Sequence, residues 1–251
     1  MLRRRSRGTG ALLLTPPPLA RRTLAEFVGT AFLVAVVVGS GIAAQRLSPG
    51  DTGLQLLENA TATAAGLVAL ILAFGPVSGA HFNPVVSLVD AVFGGLEWTE
   101  LPAYISAQVA GAITGAIVAN LMFELDAVSW STHARSSSGL WVGEVVATLG
   151  LLLVIFGVVR SGRATAAPFA VGAYIGAAYF FTSSTSFANP AVTIGRAFTD
   201  TFAGIKPSSV PAFIAFELVG AALAVALVRV LYPDVAAIAT DVVVPHNEQP
   251  T

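Results

Sequence analysis

The sequence predicts an all-α integral membrane protein, with six transmembrane helices and two half-helices arranged as an inverted internal repeat. The first observation is composition: the 251 residues are 55% hydrophobic and only 11% charged, with a mean hydropathy of +0.78. Soluble domains carry about 25% charged residues. The second is that apolar stretches of roughly 20 residues recur, the length that crosses a hydrocarbon core about 30 Å thick. The third is that two shorter apolar segments each follow an Asn-Pro pair.

Two loops of mostly small residues, at 78–83 and 185–189, each run into Asn-Pro and then into an apolar segment. Asn is favoured at the N-cap of a helix, and Pro is favoured at the first helical position, where its missing N–H is not needed. Asn83 and Asn189 therefore mark two helix starts. Either copy alone is typical of an ordinary cap, but two copies in matching places of a repeated membrane chain indicate a functional element.

The first half contains a disordered basic N-terminal tail at residues 1–22 and a first repeat at residues 23–125. A signal peptide is disfavoured, because the apolar piece at 11–14 is too short and runs into three prolines. The repeat consists of full spans at 24–44, 57–74 and 102–123 and a half-helix at 84–93. At 1.5 Å per residue, that half-helix covers about half of a membrane.

A polar linker at residues 126–138 leads into a second repeat at residues 139–232, which is followed by a C-terminal tail at 233–251. The second repeat has full spans at 140–159, 166–181 and 211–231 and a half-helix at 190–202.

Matching residues of the two halves lie at similar separations: Glu26 and Glu144 by 118 residues, Asn83 and Asn189 by 106, and Gln108 and Glu217 by 109. An odd number of full spans in each half inverts one half relative to the other. Inverted repeats with broken helices place their site near the membrane midplane.

The placement of basic residues predicts that both termini lie in the cytoplasm, in a multi-pass protein of the cell membrane (inner or plasma membrane). The cytoplasmic side then holds nine arginines: Arg3, Arg4, Arg5, Arg7, Arg21, Arg22, Arg160, Arg163 and Arg229. The opposite side holds four basic residues: Arg46, Arg135, Arg196 and Lys206.

The two Asn-Pro loops predict a passive channel for small neutral solutes. Irregular backbone inside a membrane is tolerated only where it is buried in protein or lines water. Asn83 and Asn189 place amide donors at the centre, and two half-helix N-termini concentrate positive potential there, which opposes cations and protons. Loop carbonyls supply acceptors to neutral hydroxylated molecules; the residues expected to provide them are Gly79, Ala80, His81, Ser186, Phe187 and Ala188.

Two other classes of function fit the sequence less well. An ion-coupled secondary transporter also uses inverted repeats, but coupling needs titratable groups near the helix breaks, and His81 is the only one beside either break. We expect a structural role for His81. An enzyme is disfavoured, because there is no nucleophile–base set, metal-ligand cluster or phosphate loop. The chain has no cysteine, and no cofactor, metal or nucleic-acid partner is expected.

Four motifs carry a family resemblance: residues 79–84, residues 188–191, Ala-Glu-Phe-Val-Gly-Thr at 25–30 and Ala-Gln-Val-Ala-Gly at 107–111. Together they resemble the aquaporin and aquaglyceroporin (major intrinsic protein) family over about residues 22–232. The resemblance implies an aquaporin-like fold and a homotetramer in the lipid bilayer, with one pore per subunit. It also implies that Glu26 and Glu144 brace the pore loops through hydrogen bonds. The alternative is that each acid is a charge favoured near a helix N-terminus.

The chain departs from the family pattern at two places. The pore midplane is expected at Asn83, Asn189, Val85 and Ala191, with Val85 in place of the usual alanine. In most of the family an arginine follows the second Asn-Pro-Ala and narrows the pore, whereas this chain has Val192. Arg196 lies one helical turn later, where a contact with lipid headgroups is favoured over an approach to the outer mouth.

The remaining selectivity-filter positions follow from spacing to the two motifs. They are Thr63, where water channels of the family carry a large aromatic residue, Ser186, and either Ala177 or Tyr179. With Val192, these residues predict a wider filter without a fixed cation. The chain resembles a bacterial branch that lacks the arginine and is tied to arsenic resistance. The resemblance implies passage of arsenous acid, glycerol-like solutes and water, and a water-selective aquaporin is the alternative.

Overall fold

The computed structural model describes residues 17–233. Residues 1–16 and 234–251, which contain most of the two predicted tails, lie outside the described residues. The described part folds into helices joined by loops, without a strand. Its α-helices are α1 (Leu19–Leu47), α2 (Thr52–Ser78), α3 (Pro84–Phe93), α4 (Leu101–Met122), α5 (Ser138–Arg160), α6 (Ala167–Phe181), α7 (Pro190–Gly195) and α8 (Val210–Leu231).

Six segments of the described residues are long and apolar enough to cross a membrane: α1, α2, α4, α5, α6 with the 3-10 turn before it (Ala164–Phe181), and α8 with the 3-10 turn before it (Pro207–Leu231). The prediction of an all-α protein with six spans and two half-helices is confirmed. Helix α1 begins at Leu19, so the last four residues of the predicted N-terminal tail are helical instead. The cause is a tertiary contact, because Arg22 pairs with Glu100 at the start of α4, with Nη1 2.9 Å from Oε2.

The two half-helices begin where the Asn-Pro pairs predict. The side chain of Asn83 accepts from Val85 N at 3.0 Å, and that of Asn189 accepts from Ala191 N at 3.0 Å. Helix α3 has the predicted bounds and ends at Gly94, whose φ of 89° suits glycine. The predicted bounds 190–202 are wrong for the second half-helix, since α7 ends at Gly195 and only a 3-10 turn, Arg196–Phe198, follows.

The chain reverses after α7 because its backbone finds partners outside the helix. Ile205 N donates to Arg196 O at 3.2 Å, and the predicted linker packs on the same segment. Ser129 N donates to Phe198 O and Ser131 N to Ala197 O, both at 3.1 Å. The linker therefore covers the end of the molecule where α7 ends.

An exposed carboxylate, that of Asp200, fixes the linker to the segment that follows α7. Asp200 accepts from Thr132 N at 2.8 Å and from Thr132 Oγ1 at 3.0 Å. The backbone hydrogen bond from Thr132 lowers the pKa of Asp200 below its ordinary value.

The repeats pack in the same way in both halves. Helix α1 lies against α2 and α4, α5 lies against α6 and α8, and the two half-helices meet between them. Glycines allow the helix backbones to approach closely: a Cβ at Gly111 would lie 2.3 Å from Phe27 O, and one at Gly115 would lie 2.2 Å from Ala31 O. In the second half, a Cβ at Gly220 would lie 2.7 Å from Val145 O. Small residues at such interfaces are typical of packed transmembrane helices.

We expect Gly115→Ala to destabilise the protein by about 1–3 kcal/mol, because the added methyl group collides with rigid backbone of α1. Thermal stability in detergent, followed by size-exclusion chromatography, measures the effect. Gly139→Ala is the matched control, since a Cβ there meets nothing within 4 Å. Equal stability of the two variants would contradict close packing of α1 on α4.

Candidate functional site

A cavity of about 820 Å³ is lined by residues of both repeats and includes Asn83 and Asn189, the capping residues of the two half-helices. One part of its wall is apolar and includes Leu151, Ile155, Val171 and Ile175. The polar and charged side chains that line it are Thr63, His81, Asn83, Arg160, Thr165, Tyr179, Ser186, Asn189 and Arg196. No Asp or Glu occurs among the described residues of the lining.

Asn83 and Asn189 hold the two half-helices together across the centre. Each asparagine caps its own helix through its oxygen and donates through Nδ2 to a carbonyl of the opposite loop. Asn83 Nδ2 lies 2.7 Å from Ala188 O, and Asn189 Nδ2 lies 2.8 Å from Phe82 O. An amide has two N–H donors, so each side chain keeps one donor for the cavity that it lines.

The two loops adopt strained backbone conformations. Ala80 and Phe82 have φ of 51°, and Thr185, Ser186 and Ala188 have φ of 64°, 52° and 48°. Such conformations cost energy in residues with a Cβ and persist only where surrounding contacts hold them. The loops also leave backbone N–H groups without helical partners at membrane depth.

Buried carboxylates satisfy those N–H groups. Glu26 accepts from His81 N at 3.0 Å and Phe82 N at 2.7 Å, and also from Ser78 Oγ and Gln108 Nε2. Glu144 accepts from Phe187 N at 3.0 Å and Ala188 N at 2.7 Å. The contacts expected of Glu26 and Glu144 are thus present.

Sequence reasoning missed a third carboxylate of this kind, Glu217 on α8. It accepts from Asn189 N at 3.1 Å and from Thr193 Oγ1 at 2.7 Å, and it is fully buried. Glu217 matches Gln108 in the other repeat. That correspondence, together with the cost of a charge inside a span, was the available signal.

Four of the expected filter side chains meet in the cavity wall: Thr63, Tyr179, Ser186 and Val192. Tyr179 Oη lies 3.2 Å from Thr63 Oγ1, so these two form one patch. Ala177 is exposed on the outside of α6, and its assignment to the filter is wrong. Two residues along a helix turn by about 200°, so only one of Ala177 and Tyr179 can face the cavity.

Val85 and Ala191 are buried in the protein core and do not line the cavity, in contrast to the expectation. Val86 and Val192 line it instead. Residues three apart share a helix face, which puts each valine on the side of its capping asparagine. The residue directly after each Asn-Pro points elsewhere.

The six loop residues expected to present carbonyls all line the cavity: Gly79, Ala80, His81, Ser186, Phe187 and Ala188. The Ala188 carbonyl already accepts from Asn83, as described above. His81 is held on its other side, with Nδ1 2.8 Å from Ser87 Oγ and Nε2 3.7 Å from Asp90 Oδ2. These contacts fit a structural role for His81.

Arg196 is the largest difference from expectation. Its side chain is buried, with only 3% of the residue exposed, and it lines the cavity, so the favoured headgroup contact is wrong. Its guanidinium carbon lies 3.4 Å from the centre of the Phe187 ring, and its Nε donates to Ala203 O. The cavity therefore does contain a fixed cation near Val192.

Comparison with known proteins assigns the family. Residues 14–188 match the family described as major intrinsic protein. The chain belongs to the major intrinsic protein family. The match includes the first Asn-Pro pair and ends directly before Asn189.

Relatives extend the similarity over most of the chain. The chain is 51% identical over 211 residues to "Aquaglyceroporin AqpS" of Rhizobium meliloti (strain 1021), covering 84% of this chain and 90% of that protein. It is 32% identical over 201 residues to "Putative aquaporin NIP4-1" of Arabidopsis thaliana, covering 76% and 69%. The X-ray structure of the aquaglyceroporin from Plasmodium falciparum matches in fold, with a TM-score of 0.68 at 22% identity over 87% of this chain and 99% of that one.

This major intrinsic protein is a multi-pass membrane protein, with six apolar helices of spanning length in its described part. Its relatives are aquaporins and aquaglyceroporins. It is accordingly a passive channel for small neutral solutes and not an enzyme.

We expect Glu144→Gln to destabilise the second loop by about 1–3 kcal/mol and to reduce solute flux. The amide has one acceptor oxygen, so the N–H of Phe187 or Ala188 loses its partner. Thermal stability and flux in proteoliposomes measure the effect. Glu97→Gln, at an exposed loop position, removes the same charge and should change neither. An unchanged Glu144→Gln channel would contradict bracing by this carboxylate.

Proposed function

We propose that the cavity is a pore for arsenous acid, glycerol-like solutes and water, with the two Asn-Pro pairs at its midplane. The observation that carries the proposal is the wall beside Asn189, where Val192 lines the cavity together with Thr63 and Ser186. These three side chains are small, and the room that they leave beside Tyr179 and Arg196 would admit solutes larger than water. The 51% identity to a protein named an aquaglyceroporin supports the same solute class.

The chemistry of the wall suits an uncharged molecule with several hydroxyl groups. Amide donors of Asn83 and Asn189 and carbonyls of the two loops provide hydrogen bonds on one side. Apolar side chains of α5 and α6 provide other parts of the wall. Arsenous acid is neutral at pH 7 and resembles a small polyol. The described lining contains no carboxylate, so it offers a cation no negative charge, whereas it offers hydroxyl groups both donors and acceptors.

We further propose that the channel works as a homotetramer in the cell membrane, with both termini in the cytoplasm. Each chain contributes one pore, formed between the repeats at residues 23–125 and 139–232. Many large apolar side chains on the outside of the helices are exposed in the single chain, as expected for contacts with lipid or with further subunits. The arginine distribution supports the orientation.

We expect wild-type protein in proteoliposomes to admit arsenous acid and glycerol rapidly, and Val192→Arg to abolish this entry, because a long cationic side chain would replace a small apolar one in the cavity wall. Light scattering measures entry of water, glycerol and arsenous acid. Val192→Leu is the matched control, because it adds bulk without charge or hydrogen-bond donors and should only slow entry. Fast water flux with no solute entry in wild type would replace the proposal with a water-selective channel.

A further inference from the structure

Arg196 follows α7 directly as its C-cap residue, and its backbone N–H still donates to Val192 O. It follows Val192 by four residues, which places it on the same face about 6 Å further along the axis. The Cα–Cβ bonds of a helix tilt toward its N-terminus. A long side chain at position 196 therefore extends back over position 192, which fits its place in the lining.

Two contacts hold the guanidinium of Arg196 in place. One face stacks on Phe187, at 3.4 Å from the ring centre, and Nε donates to Ala203 O. Its backbone carbonyl accepts from Ile205 N, which anchors the residue itself. No salt bridge between Arg196 and a carboxylate occurs within residues 17–233.

Arg135 approaches the same ring without reaching the cavity. Its guanidinium carbon lies 5.1 Å from the centre of Phe187, and its Nε donates to Gly204 O at 2.9 Å. Arg135 is absent from the lining. The two arginines share one aromatic partner, but only Arg196 faces the solute path.

The described lining of the cavity contains two arginines, Arg160 and Arg196, and they lie at opposite ends. Arg160 is the last residue of α5. Arg135, which shares the Phe187 ring with Arg196, lies just before the first residue of α5, about 35 Å away along that helix. Because Arg196 and Arg135 contact the same ring, Arg196 belongs to the end away from Arg160. The channel therefore has an arginine near each mouth and no acid among its described lining residues.

We infer that Arg196 is the specificity-determining group of the mouth covered by the linker. Its charge repels protons and metal cations, and its terminal nitrogens donate hydrogen bonds to the hydroxyl groups of neutral solutes. Val192 is small enough for this side chain to extend past it, so the cavity wall carries a cation although position 192 itself is apolar. The inference rests on the proposed function, since it names how the same pore selects neutral polyhydroxylated molecules.

The test compares Arg196→Leu with Arg135→Leu in proteoliposomes. Leakage of K⁺ and of protons is measured beside glycerol entry. We expect Arg196→Leu to raise the cation leak about tenfold or more, since a charge beside a low-dielectric path acts strongly, and to keep glycerol entry. Arg135→Leu removes the second guanidinium from Phe187 and should leave the cation leak unchanged.

A rescue separates charge from packing. The conservative variant Arg196→Lys keeps a cation at the same position without the planar stack on Phe187, and we expect its cation leak to stay at the wild-type level. If Arg196→Leu does not fold, Arg196→Gln, which keeps donors for Ala203 O, is judged by the same criterion. A cation leak equal to wild type, or an equal leak in Arg135→Leu, would overturn the inference. Absence of glycerol entry in wild type would instead overturn the proposed function, because the cation leak is measured independently.

Discussion

The structure depends on how two irregular loops obtain hydrogen bonds at membrane depth. Each loop precedes a half-helix and has no regular backbone hydrogen bonds, so its N–H groups need partners that lipid cannot provide. Carboxylates from neighbouring spans take these donors, Glu26 in one half and Glu144 with Glu217 in the other. The buried acids in turn avoid isolation because each accepts several hydrogen bonds. The loops and the acids are therefore stable only together, and the cavity exists because both are present.

The two repeats use different side chains to satisfy the N–H groups of their loops. In the first half Gln108 donates to Glu26, so a neutral amide supports one carboxylate. In the second half Glu217 occupies the matching position and itself accepts from Asn189 N and Thr193. Backbone N–H groups of the second loop and its asparagine thus donate to two acids, whereas those of the first loop donate to one, Glu26. The same half carries the other irregular features, a half-helix of one and a half turns and a buried arginine that stacks on a loop aromatic.

Local signals predicted what is locally determined. Composition and span length gave the six helices, and the Asn-Pro pairs gave both half-helix starts, because capping is settled by neighbouring residues. The predicted end of α7 was wrong because the Arg196 carbonyl accepts a hydrogen bond from Ile205 N, 9 residues later, and not from the next turn of a helix. Arg196 itself was misplaced because the direction of a long side chain depends on Phe187 and Ala203, which pattern and spacing do not reveal. Tyr179 and Ala177 could not be separated without the actual rotation of α6.

The segment that joins the repeats has a consequence for the modularity of the molecule. Its backbone pairs with residues 197 and 198, and its Thr132 is bonded to Asp200. The linker is therefore a packed part of one end of the second repeat and does more than connect the two repeats. Because the connector packs on one end of the second repeat only, the two repeats are not interchangeable halves. Exchange of the halves, or a circular permutation opened in this connector, would uncover that end even if every membrane helix stayed in place.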